Sequence, residues 1–225
     1  MFPQEIRDCK RKPIRPIEAS SHHQFEASSD LQASSTESSS PIQSPSIRTR
    51  LQAKAFVLKS KICGIFSDDK GQMPSLWDVV DLPGRKPDQK GWGQKISAIW
   101  TWKNELPARW PDEIFYGKIT GGLAVLMAID YLRASHYPKN HLPLSQCSSL
   151  AQKIHAALRL DPLTSRGLRK ELGLMERPDK PRFDKALQEL QVTLNIVRRN
   201  SLDDKNDTWV LFREQHLDIV LAHED

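Results

Sequence analysis

The stretch SLAQKIHAALRLDPLTSRGLRKELGLMERPDKPRFDKALQELQVTLNIVRRN, residues 149–200, carries the strongest structural signal in the chain. Leu150, Ile154, Ala157 and Leu158 recur at i, i+4, i+7 and i+8, so residues 148–160 predict a helix with one buried face, ended by Asp161-Pro162. Thr164 or Ser165 supplies an N-cap for a short second helix through Leu168 and Leu172, and Gly173 stands where a left-handed residue closes it. A polar turn, Glu176 to Lys180, leads to Pro181 at a first helical position and then to Phe183, Ala186, Leu187 and Leu190, the stripe of a third helix. Val192 to Arg199 and Thr208 to Phe212 read as two strands joined by a polar loop, Ser201 to Asp207. Three helices with a short second one, then a hairpin, is the layout of a winged helix, the helix-turn-helix variant whose third helix can enter the major groove of DNA.

On that third helix the buried stripe leaves Arg182, Lys185 and Glu189, at relative positions 0, +3 and +7, on the outer face. A helix in this position needs cations for phosphates and donors for base edges. Arg177, Lys180, Arg182, Lys185 and Gln188 supply both kinds, with Arg182, Lys185 and Gln188 nearest the bases. Arg166, Arg169 and Lys170 add cations on the second helix, and Lys205 in the hairpin loop can meet an adjacent groove or backbone. Segment 161–200 holds nine basic and six acidic residues, a net +3 that fits modest affinity. Winged helices also serve as protein-interaction modules, so an acidic protein partner is an open alternative.

Outward from this unit, residues 1–47 hold eleven serines and five prolines with little apolar periodicity and are expected to be a disordered tail. The tail's charge is 5 − 6 = −1, so the chain's formal +5 leaves 5 − (−1) = +6 on the remainder. From Ile47 onward, Leu51, Ala55, Phe56, Leu58, Ile62 and Ile65 predict a helix running into Gly64, and Pro74 to Val80 a two-turn helix. Trp92, Ile96, Ile99, Trp100 and Lys103 predict a third, stopped by Pro107. Ile114–Ile119 and Leu123–Met127 about Thr120-Gly121-Gly122 fit a hairpin, the rival being a helix over 122–135, with helix resuming at Ala128 to Ala134. The order helix, helix, helix, hairpin thus recurs. The expected fold is mainly α with small β-hairpins (α+β), as tandem winged helix-turn-helix domains over 48–140 and 145–215, followed by a C-terminal extension, 216–225.

No run of about 18 apolar residues occurs, and the first residues lack the apolar stretch of a secretory signal, so a soluble, cytoplasmic protein is expected, associated with the nucleoid in a prokaryote. Cys9, Cys63 and Cys147 are too far apart for a disulfide framework or a zinc motif, and His136 and His141 have no further ligand near them; neither metal nor cofactor is expected. Gly91-Trp92-Gly93 and Gly121-Gly122 lack the context of a phosphate loop. Five tryptophans fall within 34 residues. Trp77, Trp92 and Trp100 are expected in the core, leaving Trp102 and Trp110 as candidates for stacking on bases.

The blocks Pro74-Ser75-Leu76-Trp77-Asp78, Trp100-Thr101-Trp102-Lys103-Asn104-Glu105-Leu106-Pro107, Phe115-Tyr116-Gly117-Lys118 and Leu163 to Arg199 resemble the prokaryotic winged-helix proteins related to AlkZ, the alkylpurine and crosslink-unhooking DNA glycosylases. The resemblance covers roughly residues 48–215. It implies a tandem array of winged helices along duplex DNA, with Trp92 to Lys103 as the third helix of the first unit and 114–127 as its wing. Those enzymes share a Gln-aliphatic-Gln motif that positions the attacking water, and no Gln-x-Gln occurs here; Gln188 and Gln191 are three apart. The chain is also shorter than those enzymes, without room for a third winged helix and a barrel domain. Fold and duplex partner therefore carry over and the activity does not. The enzymatic alternative is a glycosylase in which Glu105 or Asp78 replaces the missing Gln pair; the competing expectation is that both carboxylates cap or pair with neighbours such as Lys103 and Arg109.

Overall fold

Thr49 opens the first helix with a reciprocal cap: its hydroxyl accepts from the Gln52 N–H at 3.3 Å, and its own N–H donates to Gln52 Oε1 at 3.0 Å. In the computed structural model the described residues are 46–68, 71–202 and 207–224, so nearly all of the expected tail, and Lys205, lie outside them. Helix α1 (Arg50–Ser60) ends sooner than its apolar pattern suggests, because Lys61 takes φ 66° and turns the chain into strand β1 (Ile62–Gly64). Ser75 caps α2 (Leu76–Val79). Helix α3 (Gln94–Arg109) runs through Pro107, which lies in its last turn and does not stop it. Strands β2 (Ile114–Lys118) and β3 (Ala124–Ala128) flank the turn 120–122, so the hairpin prevails over a helix across 122–135. The sheet order is β1-β3-β2, all antiparallel, with Cys63 opposite Leu126 and Tyr116 opposite Leu126 from the other side.

A helical connector follows: α4 (Ile129–Tyr131), a wide π turn over 132–136, and α5 (Tyr137–Asn140). The second series repeats the first. Helix α6 (Ser149–Leu158) leads to β4 (Leu163–Thr164), α7 (Ser165–Glu171), α8 (Asp179–Val192), β5 (Ile196–Arg198) and β6 (Thr208–Leu211), with sheet order β4-β6-β5. Thr164 caps α7 by accepting from Gly167 N at 3.1 Å, and Gly173 closes the unit's second helix at φ 66°. Both series are helix, strand, helix, helix, hairpin. The leading strands β1 and β4 were not foreseen, since two or three residues are too few to show a period of two.

Strand alternation divides the apolar side chains among three cores. Leu126 on β3 faces a first core with Val57, Leu76, Ile99, Trp102 and Leu106. Ile196 and Trp209 face another with Ile154, Leu168, Phe183, Leu187 and Leu190. Their neighbours Val125 and Met127, and Val197 and Val210, face a middle core shared by both sheets. Helices α9 (Phe212–Gln215) and α10 (Leu217–Leu221) complete it with Phe212, Ile219 and Val220, so the expected C-terminal extension is a wall of the interior. The described residues form one compact unit. No helix among the described residues is long and apolar enough to cross a membrane.

His216 lies in this middle region, its ring 4.9 Å from Phe212 and 5.6 Å from Phe115, with Nε2 lacking a hydrogen-bond partner. Burial pushes its pKa down to about 4 against the weaker opposing pull of Asp218 and Asp112. A depressed imidazole takes its proton first in the unfolded chain, so its stability contribution is complete above pH 6.5 and is lost as pH falls toward 4. The loss is on the order of 3 kcal/mol. Urea midpoints measured between pH 7 and pH 4.5 should fall, and His216→Leu should flatten that slope.

Candidate nucleic-acid interface

The cationic face expected on the second series is built around the turn between α7 and α8. Arg169 is spent on that turn: Nε donates to the Leu174 carbonyl at 2.8 Å and Nη2 to the Glu176 carbonyl at 3.0 Å, fixing the chain that leads into α8. Arg166, Lys170, Arg177, Lys180, Arg182 and Lys185 are exposed. Lys180 pairs with Asp184 and Arg182 with Asp179, the latter at 3.6 Å, both on open surface where such pairs contribute about 1 kcal/mol or less and yield readily to another anion. Arg166, Lys170, Arg177 and Lys185 have no acidic partner among the described residues.

The two halves of α8 differ in access. Glu189, expected on the outer face, accepts from Ser148 N at 2.8 Å and Ser148 Oγ at 2.5 Å and so anchors the start of α6. Gln188 is half-buried, with its amide so close to Gly122 that a Cβ there would lie 2.6 Å from it. The hairpin turn of the first series therefore sits on the C-terminal half of α8, leaving the N-terminal half, with Arg182 and Lys185, open. Gly122 also holds φ 81°, and Gly121 holds φ 85° with open space where a side chain would go. Gly122→Ala and Gly121→Ala should each cost about 1–2 kcal/mol through left-handed strain, read from urea unfolding, with the excess at Gly122 reporting its contact with Gln188.

In the first series the tryptophans exchange the places expected for them. Trp102 is 7% exposed and in the core, whereas Trp77 and Trp92 are 38% and 40% exposed. The buried stripe of α3 is Ile99, Trp102, Lys103, Leu106 and Pro107, so Ile99 and Lys103 are buried as expected, while Trp92 precedes the helix, which starts only at Gln94. Trp100 and Trp110 are half-buried, the latter under the Lys54 ammonium at 4.7 Å.

Lys103 is buried with its ammonium 3.8 Å from the Trp100 ring centre and 5.2 Å from that of Tyr116. Arg198, from β5, covers Tyr116 at 4.6 Å and donates from Nη1 to Asn104 and, at 3.3 Å, to Asp207. Desolvated cation–π contacts of this kind contribute about 2 kcal/mol each. The Trp100/Lys103 spacing at i, i+3 hinted at one rung; nothing local to Arg198 pointed to Tyr116 or Asn104, because both lie more than 80 residues away.

Neither candidate carboxylate is poised for proton transfer. Two hydroxyls, Ser67 and Ser75, each donate to Asp78 at 2.6 Å and hold its pKa below the usual carboxylate value. Glu105 is lowered chiefly by Arg50 at 2.7 Å, with Arg109 at 3.4 Å, and its partner is thus Arg50 rather than Lys103. Cys63 is buried and its thiol is pushed up to about 12, the reverse of an activated nucleophile. Among the described residues no group of three or more His, Cys, Asp or Glu side chains could hold a metal ion.

Residues 47–210 match the AlkZ-related family model. The chain belongs to the AlkZ-related family. No curated protein and no solved structure matches it. The match spans both helix-strand-helix-helix-hairpin series of this AlkZ-related chain up to β6. Two blocks within the matched residues meet physically: Lys103 of Trp-Thr-Trp-Lys-Asn-Glu-Leu-Pro lies over Tyr116 of Phe-Tyr-Gly-Lys. Gly117 in the second block is covered by the Phe115 ring, where a Cβ would come within 2.4 Å of Cε1. In this AlkZ-related protein both blocks are used to join the two series.

Proposed function

We propose that this AlkZ-related protein is a noncatalytic, DNA-repair-related binder of duplex DNA, made of two winged helices, with the N-terminal half of α8 entering the major groove. The observation that carries it is the set of exposed cations without acidic partners, Arg166, Lys170, Arg177 and Lys185, gathered on α7, its turn and the open half of α8. Backbone phosphates are the partner such a face fits, and a duplex would displace the weak Lys180–Asp184 and Arg182–Asp179 pairs to recruit two more cations. Arg182 and Lys185 lie nearest the base edges. Arg169 supports the face from behind, and Gln188 contributes through its packing on the turn. The engagement of Asp78 by serines and of Glu105 by arginines supports the noncatalytic part of the proposal.

Fluorescence-anisotropy titration of a labelled duplex at two salt concentrations tests the proposal. Binding should weaken steeply with salt, and Arg182→Glu with Lys185→Glu should lower the log–log salt slope by about two and the low-salt affinity by about tenfold or more. Salt-insensitive binding, or unchanged affinity in a folded double variant, would overturn it. Alkylated bases released to leave abasic sites in the duplex, an activity lost in Glu105→Gln, would restore the glycosylase alternative.

A further inference from the structure

The start of α3 occupies, in the first series, the place that the start of α8 occupies in the second, and its surface chemistry differs. Phe66, Trp77 and Trp92 are 38%, 38% and 40% exposed around it. Phe66 and Trp77 pack 5.8 Å apart with the Lys95 ammonium 4.7 Å from the Trp77 ring centre, and Trp92 leans edge-on against Trp100 at 5.6 Å. Residues 84–95 hold four cations, Arg85, Lys86, Lys90 and Lys95, against one acid, Asp88. The loop is fixed in shape: Arg85 Nε donates to the Gln89 carbonyl at 2.9 Å, Gln89 Nε2 to the Trp92 carbonyl at 3.1 Å, and Lys95 N to the Pro83 carbonyl at 3.0 Å. Gly93 is pressed against Arg85, where a Cβ would come within 2.2 Å of the backbone nitrogen.

We propose that this aromatic and cationic surface at the start of α3 binds unpaired nucleotides, Trp77 and Trp92 stacking on bases while Arg85, Lys86 and Lys90 hold phosphates. Against a closed duplex an exposed aromatic face must first unstack a base step, whereas a base that is not stacked finds in it a ready platform, and the cations select a polyanion over an apolar partner. The fixed loop presents Trp92 at little cost in side-chain ordering. The second series has no exposed aromatic ring among the described residues at the matching place, where Met175 is the exposed apolar side chain, so the two ends divide duplex backbone from unpaired bases. This surface is separate from α8 and stands or falls without it.

The test uses the full chain and a thymidine oligomer of about ten nucleotides, followed by intrinsic tryptophan quenching and by anisotropy of the labelled oligomer. Quenching at low salt is expected, with affinity at least about tenfold weaker in Trp77→Leu/Trp92→Leu and restored in Trp77→Phe/Trp92→Phe, which keeps the stacking faces. Arg182→Glu/Lys185→Glu should leave oligomer binding in place, even if duplex binding by α8 is itself disproved. The proposal is overturned by an oligomer that does not bind, by leucine variants that bind it as well as the native chain, by a loss that phenylalanine does not restore, or by equal loss on reversing Arg182 and Lys185.

Discussion

The architecture depends on a core that neither series owns. Val125 and Met127 of one sheet and Val197 and Val210 of the other point into the same interior, closed by Tyr137, Phe212 and Ile219. Because side chains alternate along a strand, a sheet with one face on its own helices must put its other face somewhere, and here each finds the other. Both faces of both sheets thereby carry packed apolar side chains. The hairpins become the joint of the molecule, and the starts of the third helices stay outside it.

The same joint carries a polar seam. Tyr116 is held between Lys103 from the first series and Arg198 from the second, and Asn104 accepts from that arginine. Burying two cations beside one ring is costly unless their charge is met by ring faces and oxygen acceptors, so the seam has one good geometry and many poor ones. The apolar core supplies the attraction between the sheets, and the seam fixes their register.

Elements with local grammar were legible in the sequence: the Thr164 cap, the left-handed Gly173, the stripe of α8 and the turn at Gly121-Gly122 stand where residue chemistry put them. What escaped depends on distance or brevity. Strands β1 and β4 are too short for a period, and α9 and α10 owe their order to the shared core. The tryptophans were misplaced for separate reasons: Trp92 precedes the helix, which starts at Gln94, Trp77 sits on a helix too short to show a stripe, and Trp100 and Trp102 flank the Ile99/Lys103 line on opposite sides, so spacing alone does not say which of them the core takes. Of the cationic face, the residue types could be read from spacing; that Arg169 and Glu189 were committed to turns and caps could not, because their partners are backbone atoms and a serine on another helix.

The hairpin turn resting on Gln188 sets a limit on how much sequence α8 could read. With its C-terminal half covered, the open part is about eight residues, or about 12 Å at the helical rise, which spans only three or four base-pair steps of a groove. A probe that short discriminates few sites from the rest of a genome. On the proposed duplex reading, such a reach suits contact that is set by the condition of the strand and not by its sequence.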